Sequence, residues 1–347
     1  MRGEGLPLVA LRTEATRAVA LAPLGVTPAA VLAAVPAPEH EGFGPVLDFL
    51  VEDGWRRVVA LKAPPEVLAA PSMRKIRAGF ATYAPLGISA VVCARGRPRV
   101  LDLVTAGARG LRLGAPTIAA LGCRLLPPLL RVSCGEALDR VALASFLILG
   151  LDELLDDRLA HRPPRERADA LAALVRERRV PEGDPLAAFC ARLLDEWQAR
   201  ACGVEAEQLG PLLEDLSAWA YDEVALETGD TASGPPRQRG IQVSMRMLAC
   251  ATARWVQADE LAWMIRIAEL GQRLDDLLDL EKDLAAGRLT LAGSGEWTLP
   301  QAEALYASLV EETRALVDEP YQPIAWLFEQ TFRRQLRRMA EILAAPP

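Results

Sequence analysis

From about Ala115 onward the chain is a series of long stretches dominated by Ala, Leu, Glu and Arg, the residues that lose least on entering a helix. Proline-bearing breaks at 163–164, 181–185, 235–236 and 319–323 punctuate them. The pattern predicts an all-α domain over residues 71–347. Residues 1–70 read differently. Pro23, Gly25, Pro28, Pro36, Pro38, Gly42 and Gly44 recur, with short β-leaning pieces such as Arg57-Val-Val-Ala-Leu61 between them. We therefore expect a small N-terminal appendage of mixed α/β character over 1–70. No internal repeat with a period of roughly 20 to 50 residues is visible. The most apolar run, Val141 to Leu151, is broken by Ser145 and Gly150. It is about half of the ~20 residues a membrane-spanning helix needs, so no transmembrane segment is expected.

Two acidic clusters interrupt this pattern. The first is Phe146-Leu-Ile-Leu-Gly-Leu-Asp152-Glu153-Leu-Leu-Asp156-Asp157, and the second is Gln272-Arg-Leu-Asp275-Asp276-Leu-Leu-Asp279-Leu-Glu-Lys-Asp283. On a helix, Asp152 with Asp156, Glu153 with Asp157, and the series Asp275, Asp279, Asp283 are like charges at i,i+4. Each such pair costs about 0.2–0.5 kcal/mol unless a cation compensates, so something positive is expected beside them. Acidic pairs of this kind are most often the solvated face of an amphipathic helix. Here the upstream turns argue otherwise. At about 100° per residue the face of Asp152, Glu153 and Asp156 runs back through Leu149, Phe146 and Ala142. The face of Asp275, Asp279 and Asp283 runs back through Gln272, Ala268, Ile265 and Leu261. Both become apolar within a turn or so, where a solvated face would have stayed polar.

Composition narrows the chemistry. The chain has 347 residues, 51% hydrophobic and 24% charged, which excludes a disordered or collagen-like protein. Lys and Arg number 39 against 46 Asp and Glu, a formal charge of -7 with no basic stripe, so nucleic acid is not an expected partner. Cys93, Cys123, Cys134, Cys190, Cys202 and Cys250 are scattered through apolar stretches without a C-x-x-C pair. They read as buried thiols of a reducing compartment. With no basic start and cleavage site at Met1, the expected location is cytoplasmic. His40 and His161 are the two histidines, too few for His-based zinc sites or triads, so chemistry here must lean on carboxylates.

Two helices, each apolar at one end of a face and acidic at the other, can build a pocket with a hydrocarbon floor and a carboxylate mouth. Such a pocket suits a molecule with an apolar tail and an anionic head. Carboxylates reach an anion only through bridging hard cations, and Mg²⁺ shared between Asp oxygens and phosphate oxygens is the usual solution. The implied ligand is a metal-chelated diphosphate ester.

At these residues the chain resembles the class I isoprenoid synthases: terpene cyclases, trans-prenyl diphosphate synthases and squalene or phytoene synthases. Asp152-Glu-Leu-Leu-Asp156 is similar to their D-D-x-x-D motif with Glu in second place. Asp275-Asp-Leu-Leu-Asp279-Leu-Glu-Lys-Asp283 is similar both to the second D-D-x-x-D of elongases and to the (N/D)-D-x-x-(S/T)-x-x-x-E motif of cyclases, with Asp in place of the last two ligands. The resemblance covers roughly residues 115–345. It implies a helical bundle around a central apolar pocket and about three Mg²⁺ ions held by Asp152, Glu153, Asp156, Asp157, Asp275, Asp276, Asp279 and Asp283. A homodimer would follow the family habit.

The segment Tyr221-Asp-Glu-Val-Ala-Leu-Glu-Thr228-Gly229 resembles the place where these enzymes break a helix beside the diphosphate. Here Ala225 and Glu227 stand where cyclases carry Arg and elongases Lys. The missing positive charge is expected from Arg237, Arg239, Arg246 or Arg288. Phe146, Leu149, Tyr221, Thr228, Gly229, Ile265, Ala268 and Gln272 are the expected pocket lining, although for Phe146, Trp219, Trp255 and Trp263 ordinary core packing is the commoner role.

Among the members, the isopentenyl diphosphate site of elongases has only degraded equivalents in Arg95-Gly-Arg-Pro-Arg99 and His161-Arg162. Asp283-Leu-Ala-Ala-Gly287-Arg288-Leu-Thr-Leu291 resembles both an elongase and a phytoene synthase stretch. The resemblance thus points first to a cyclase acting on one prenyl diphosphate. Chain elongation, head-to-head condensation and a catalytically inactive isoprenoid-binding protein remain open.

Overall fold

The computed structural model describes residues 44–92, 116–201, 204–227 and 236–252, together with 261, 262, 264–266, 268, 269 and 272. Among the described residues every regular element is helical and no strand occurs. The chain divides into two compact units. One comprises Glu39–Thr228 and Ser233–Ala262, and the other Met1–Pro38, Gly229–Ala232 and Trp263–Pro347.

In the larger unit the helices are α1 (Gly44–Ala60), α2 (Pro65–Ala69), α3 (Pro71–Val92) and α4 (Pro116–Glu153). A π-helical turn (Leu154–Arg158) continues α4, and α5 (Pro164–Glu177), α6 (Pro185–Arg200), α7 (Val204–Glu227) and α8 (Pro236–Ala251) follow. The prolines read as breaks sit at helix starts: α2, α5 and α6 each carry one in the first turn, where a missing N–H costs nothing. Asp184 caps α6, its carboxylate accepting from the N–H groups of Leu186 at 2.8 Å and Ala187 at 3.0 Å. The 319–323 break lies outside the described residues.

α4 is the axis of this unit, packed against α1, α3, α6 and α8, while α7 packs against α5 and α8. Two glycines let α3 approach it closely. A Cβ at Gly79 would stand 2.5 Å from Leu149 Cδ2, and one at Gly87 would stand 2.6 Å from Val141 Cγ1. An aromatic chain fills the core beside them. Phe80 meets Trp55 edge-on at 5.4 Å, Trp55 lies 5.8 Å from Phe146, and Phe146 meets Phe189 edge-on at 5.3 Å.

The β-leaning reading of Arg57–Leu61 is overturned: α1 runs through Arg57 to Ala60. Val58 and Val59 favour a strand locally, but Leu50, Gly54, Trp55 and Val58 form one buried helical stripe, and its burial decides the conformation. α1 and α2 fall inside the same compact unit as the helices that follow. No helix among the described residues is long and apolar enough to cross a membrane. Cys134, Cys190 and Cys250 are free and buried, as expected, and burial pushes the Cys250 thiol up to about 12. The side chains of Cys93, Cys123 and Cys202 lie outside the described residues.

In the smaller unit the described positions Met264, Ile265, Arg266, Ala268, Glu269 and Gln272 are helical. Met264 is buried, and Ile265, Ala268 and Gln272 are half-buried.

Candidate functional site

The first acidic cluster sits where the most buried stretch of α4 ends. From Val141 to Leu151 almost every side chain is enclosed, and Ser145 satisfies its hydroxyl by donating to the Val141 carbonyl at 2.8 Å. After Glu153 the backbone widens into the π turn, closed by the Leu159 N–H donating to the Leu154 carbonyl at 2.9 Å. π turns are rare and recur at functional sites. Leu154 and Leu155 anchor this one from below, and buried Arg167 of α5 donates to the Leu155 carbonyl at 3.3 Å.

The turn sorts the four carboxylates into two pairs. Glu153 and Asp157 face Lys75 of α3, whose Nζ lies 3.0 Å from Glu153 Oε2 and 3.1 Å from Asp157 Oδ2. Burial works against the Lys75 charge, yet these two acceptors and their charges hold its ammonium above the ordinary lysine value. Asp152 and Asp156 form the other pair. Burial pushes the Asp152 carboxyl well above its ordinary range, and the negative charges of Asp156, Glu223 and Glu153 push it further, outweighing the pull of Lys75. Glu153 is likewise raised, by burial first and by Asp157, against the opposing pull of Lys75.

Glu223 comes from α7, its Oε1 accepting from Trp219 Nε1 at 2.9 Å. The first turn of α8 presses on this pair: a Cβ at Gly240 would stand 2.8 Å from Trp219 Nε1 and 3.3 Å from Glu223 Oε1. Beside Gly240, Arg239 forms an ion pair with Asp222 at 2.8 Å. Burial raises the Asp222 carboxyl and the Arg239 guanidinium opposes it. Arg239 therefore stands at the level of Glu223 on α7. Arg246 pairs with Asp215, about 12 Å further along the same helix.

Other expected lining residues are placed differently. Phe146 is fully enclosed in the aromatic core between Trp55 and Phe189. Leu149 fills the space over Gly79 of α3. Both serve helix packing. Tyr221 is exposed, its hydroxyl donating to Asp169 Oδ1 of α5 at 2.7 Å. Two residues along a helix turn about 200°, so Tyr221 faces away from Glu223. Asp275, Asp276, Asp279, Asp283, Arg288, Thr228, Gly229, Trp255, Trp263 and the Arg237 side chain lie outside the described residues. So do Arg95–Arg99.

Lys75 and Glu223 were not singled out as site residues by the sequence. The like-charge spacing demanded a positive partner, but Lys75 is 82 residues from Asp157 and no local pattern selects it. Glu223 lies within the Tyr221–Gly229 segment and is identified by its effect on Asp152.

The donors fit a hard divalent cation in kind: carboxylate oxygens only, crowded enough that Asp152 is driven toward its neutral form. Among the described residues, no group of three or more His, Cys, Asp or Glu side chains is arranged to hold a metal ion. No family model matches the chain, and no curated protein or solved structure compared with it matches either.

Proposed function

We propose that this protein is a class I isoprenoid synthase, in the first place a terpene cyclase, that ionises a linear prenyl diphosphate and releases diphosphate. The observation that carries the reading is the state of Asp152. It is a carboxyl at the end of a buried apolar helix, raised by burial and by neighbouring negative charge, which a bound cation would relieve. Mg²⁺, about three ions by the resemblance, would polarise the phosphate oxygens and stabilise the departing diphosphate.

In this reading Asp152 and Asp156 bind metal from the end of α4. By resemblance, Asp275, Asp279 and Asp283 bind it from the second motif. Arg239 meets the diphosphate, with Arg237 and Arg288 as further candidates. The allylic C–O bond breaks with its electron pair leaving on diphosphate. Apolar walls keep water from the resulting carbocation until it loses a proton to give a hydrocarbon or takes up water to give an alcohol.

One observation favours a second reading, a catalytically inactive isoprenoid-binding protein: Lys75 already supplies a cation to Glu153 and Asp157.

The test is incubation with Mg²⁺ and geranyl, farnesyl or geranylgeranyl diphosphate, with and without isopentenyl diphosphate, reading pyrophosphate and the mass of the organic extract. A hydrocarbon or terpene alcohol formed without isopentenyl diphosphate is the expected result. A longer diphosphate formed only in its presence would make the protein an elongase, and two joined chains a head-to-head synthase. Ligand binding without pyrophosphate release would establish the inactive binder. Neither binding nor turnover would overturn the superfamily reading.

A further inference from the structure

The π turn presents four carboxylates, yet they are not equivalent. Glu153 and Asp157 share one ammonium, at 3.0 and 3.1 Å from Lys75 Nζ. The Glu153 side chain is only 5% exposed, whereas Lys75 and Asp157 are 59% and 55% exposed. The inner half of this contact is therefore desolvated, where charge interactions are stronger than between surface groups. Lys75 is also well fixed in origin, because Met73, Ile76 and Phe80 bury the adjoining face of α3. An ammonium carries a single charge and three donors on a tether, so it can bridge two carboxylates as a small hard cation would.

We propose that Lys75 is a built-in counter-ion that takes the place of a divalent cation between Glu153 and Asp157, and so confines exchangeable divalent binding to Asp152 and Asp156. The inference deepens the proposed function and rests on its assignment of those two residues to metal. It makes Lys75 a positioning residue, and it separates two carboxylates that hold a protein cation from two that hold a solvent one.

The experiment is a Mn²⁺ titration of the full chain, without diphosphate, following free Mn²⁺ by electron paramagnetic resonance. The wild type should bind Mn²⁺, and Asp152→Asn should lose that binding. Lys75→Met should bind at least about five-fold more tightly or take up one further equivalent, because a positive charge is gone and two carboxylates are released. Lys75→Arg should behave as the wild type. Adding Glu153→Gln to Lys75→Met should cancel the gain. A merely structural lysine would change thermal stability and leave the number and affinity of bound ions unchanged.

Unchanged or weaker Mn²⁺ binding by Lys75→Met overturns the inference. Glu153→Gln with Lys75 retained gives an independent arm. It should bind Mn²⁺ within about two-fold of the wild type, and a loss of about ten-fold would make Glu153 a direct ligand, contrary to the proposal. Binding by Lys75→Met where the wild type has none would support the counter-ion and overturn the Mg²⁺-dependent function. Absence of binding in both overturns the two together.

Discussion

Two charged sites on α4, at Arg140 and at Asp152, are about 18 Å apart along one helix and are treated in opposite ways. Arg140 is buried with Glu205 of α7. Its Nε lies 3.0 Å from Glu205 Oε2 and donates to the Ala251 carbonyl at 3.1 Å. The other Glu205 oxygen accepts from Trp197 Nε1 at 3.0 Å. One positive and one negative charge cancel there, in a junction that ties α4, α6, α7 and the end of α8. At Asp152 the neighbours are instead Asp156, Glu153 and Glu223, and the carboxyl is pushed toward neutrality. Selection for folding alone removes such crowding at little cost, by an amide or an apolar residue. The contrast marks Arg140 as part of the scaffold and Asp152 as part of what the scaffold carries.

The largest effect that would test this contrast is at Arg140. Arg140→Met leaves the Glu205 carboxylate buried without its cation and should cost about 3–5 kcal/mol in a urea titration. A companion Glu205→Leu should restore most of it, since an apolar pair of similar volume can match a buried ion pair. A loss below about 1 kcal/mol would show that the junction is not the compensated pair described.

Asp152→Asn should do the reverse. It removes repulsion, so in chelator at neutral pH it should stabilise the chain by about 0.5–1 kcal/mol while abolishing diphosphate release. The pH dependence follows from the raised carboxyl. The Asp152 contribution is fully present below its ordinary value of 3.8 and is lost as pH rises through the raised folded value. The advantage of Asn over Asp should thus vanish in acid and grow with pH. Denaturation of both proteins between about pH 4.5 and 8 reads this directly. A destabilised Asp152→Asn at neutral pH would put Asp152 in the same class as Arg140.

How much of this was legible in the sequence follows the range of the interactions. α5 and α6 could be read from their prolines and helix-favouring composition, because propensity and capping act within a turn or two. Arg57–Leu61 was misread for the same reason: Val58 and Val59 carry a local strand preference, and only the stripe from Leu50 to Val58 overrides it. The first acidic motif was legible as like charges requiring a cation. Which cation was not, since Lys75 and Glu223 reach the site from helices far away in the chain. Nor could the sequence tell that Phe146, on the acidic face one turn and a half earlier, would be enclosed by Trp55 and Phe189 rather than left to line a pocket.

The smallest effect separates the two described arginines that were candidates for the missing positive charge. Arg239 and Arg246 are alike in burial, with side chains 46% and 43% exposed, and each pairs with an Asp of α7. Half-exposed pairs of this kind contribute at most about 1 kcal/mol, so Ala at either position should change stability little and by similar amounts. Their places differ. Arg239 adjoins Gly240, which abuts Glu223 and Trp219, whereas Asp215 holds Arg246 two helical turns away. If Arg239 meets the diphosphate, Arg239→Ala should raise KM for the prenyl diphosphate about ten-fold, and Arg246→Ala should leave it within about two-fold. Equal shifts in KM from the two substitutions would mean that nearness to Glu223 does not decide which arginine serves the substrate. The acidic end of α4 would then no longer define where the diphosphate binds.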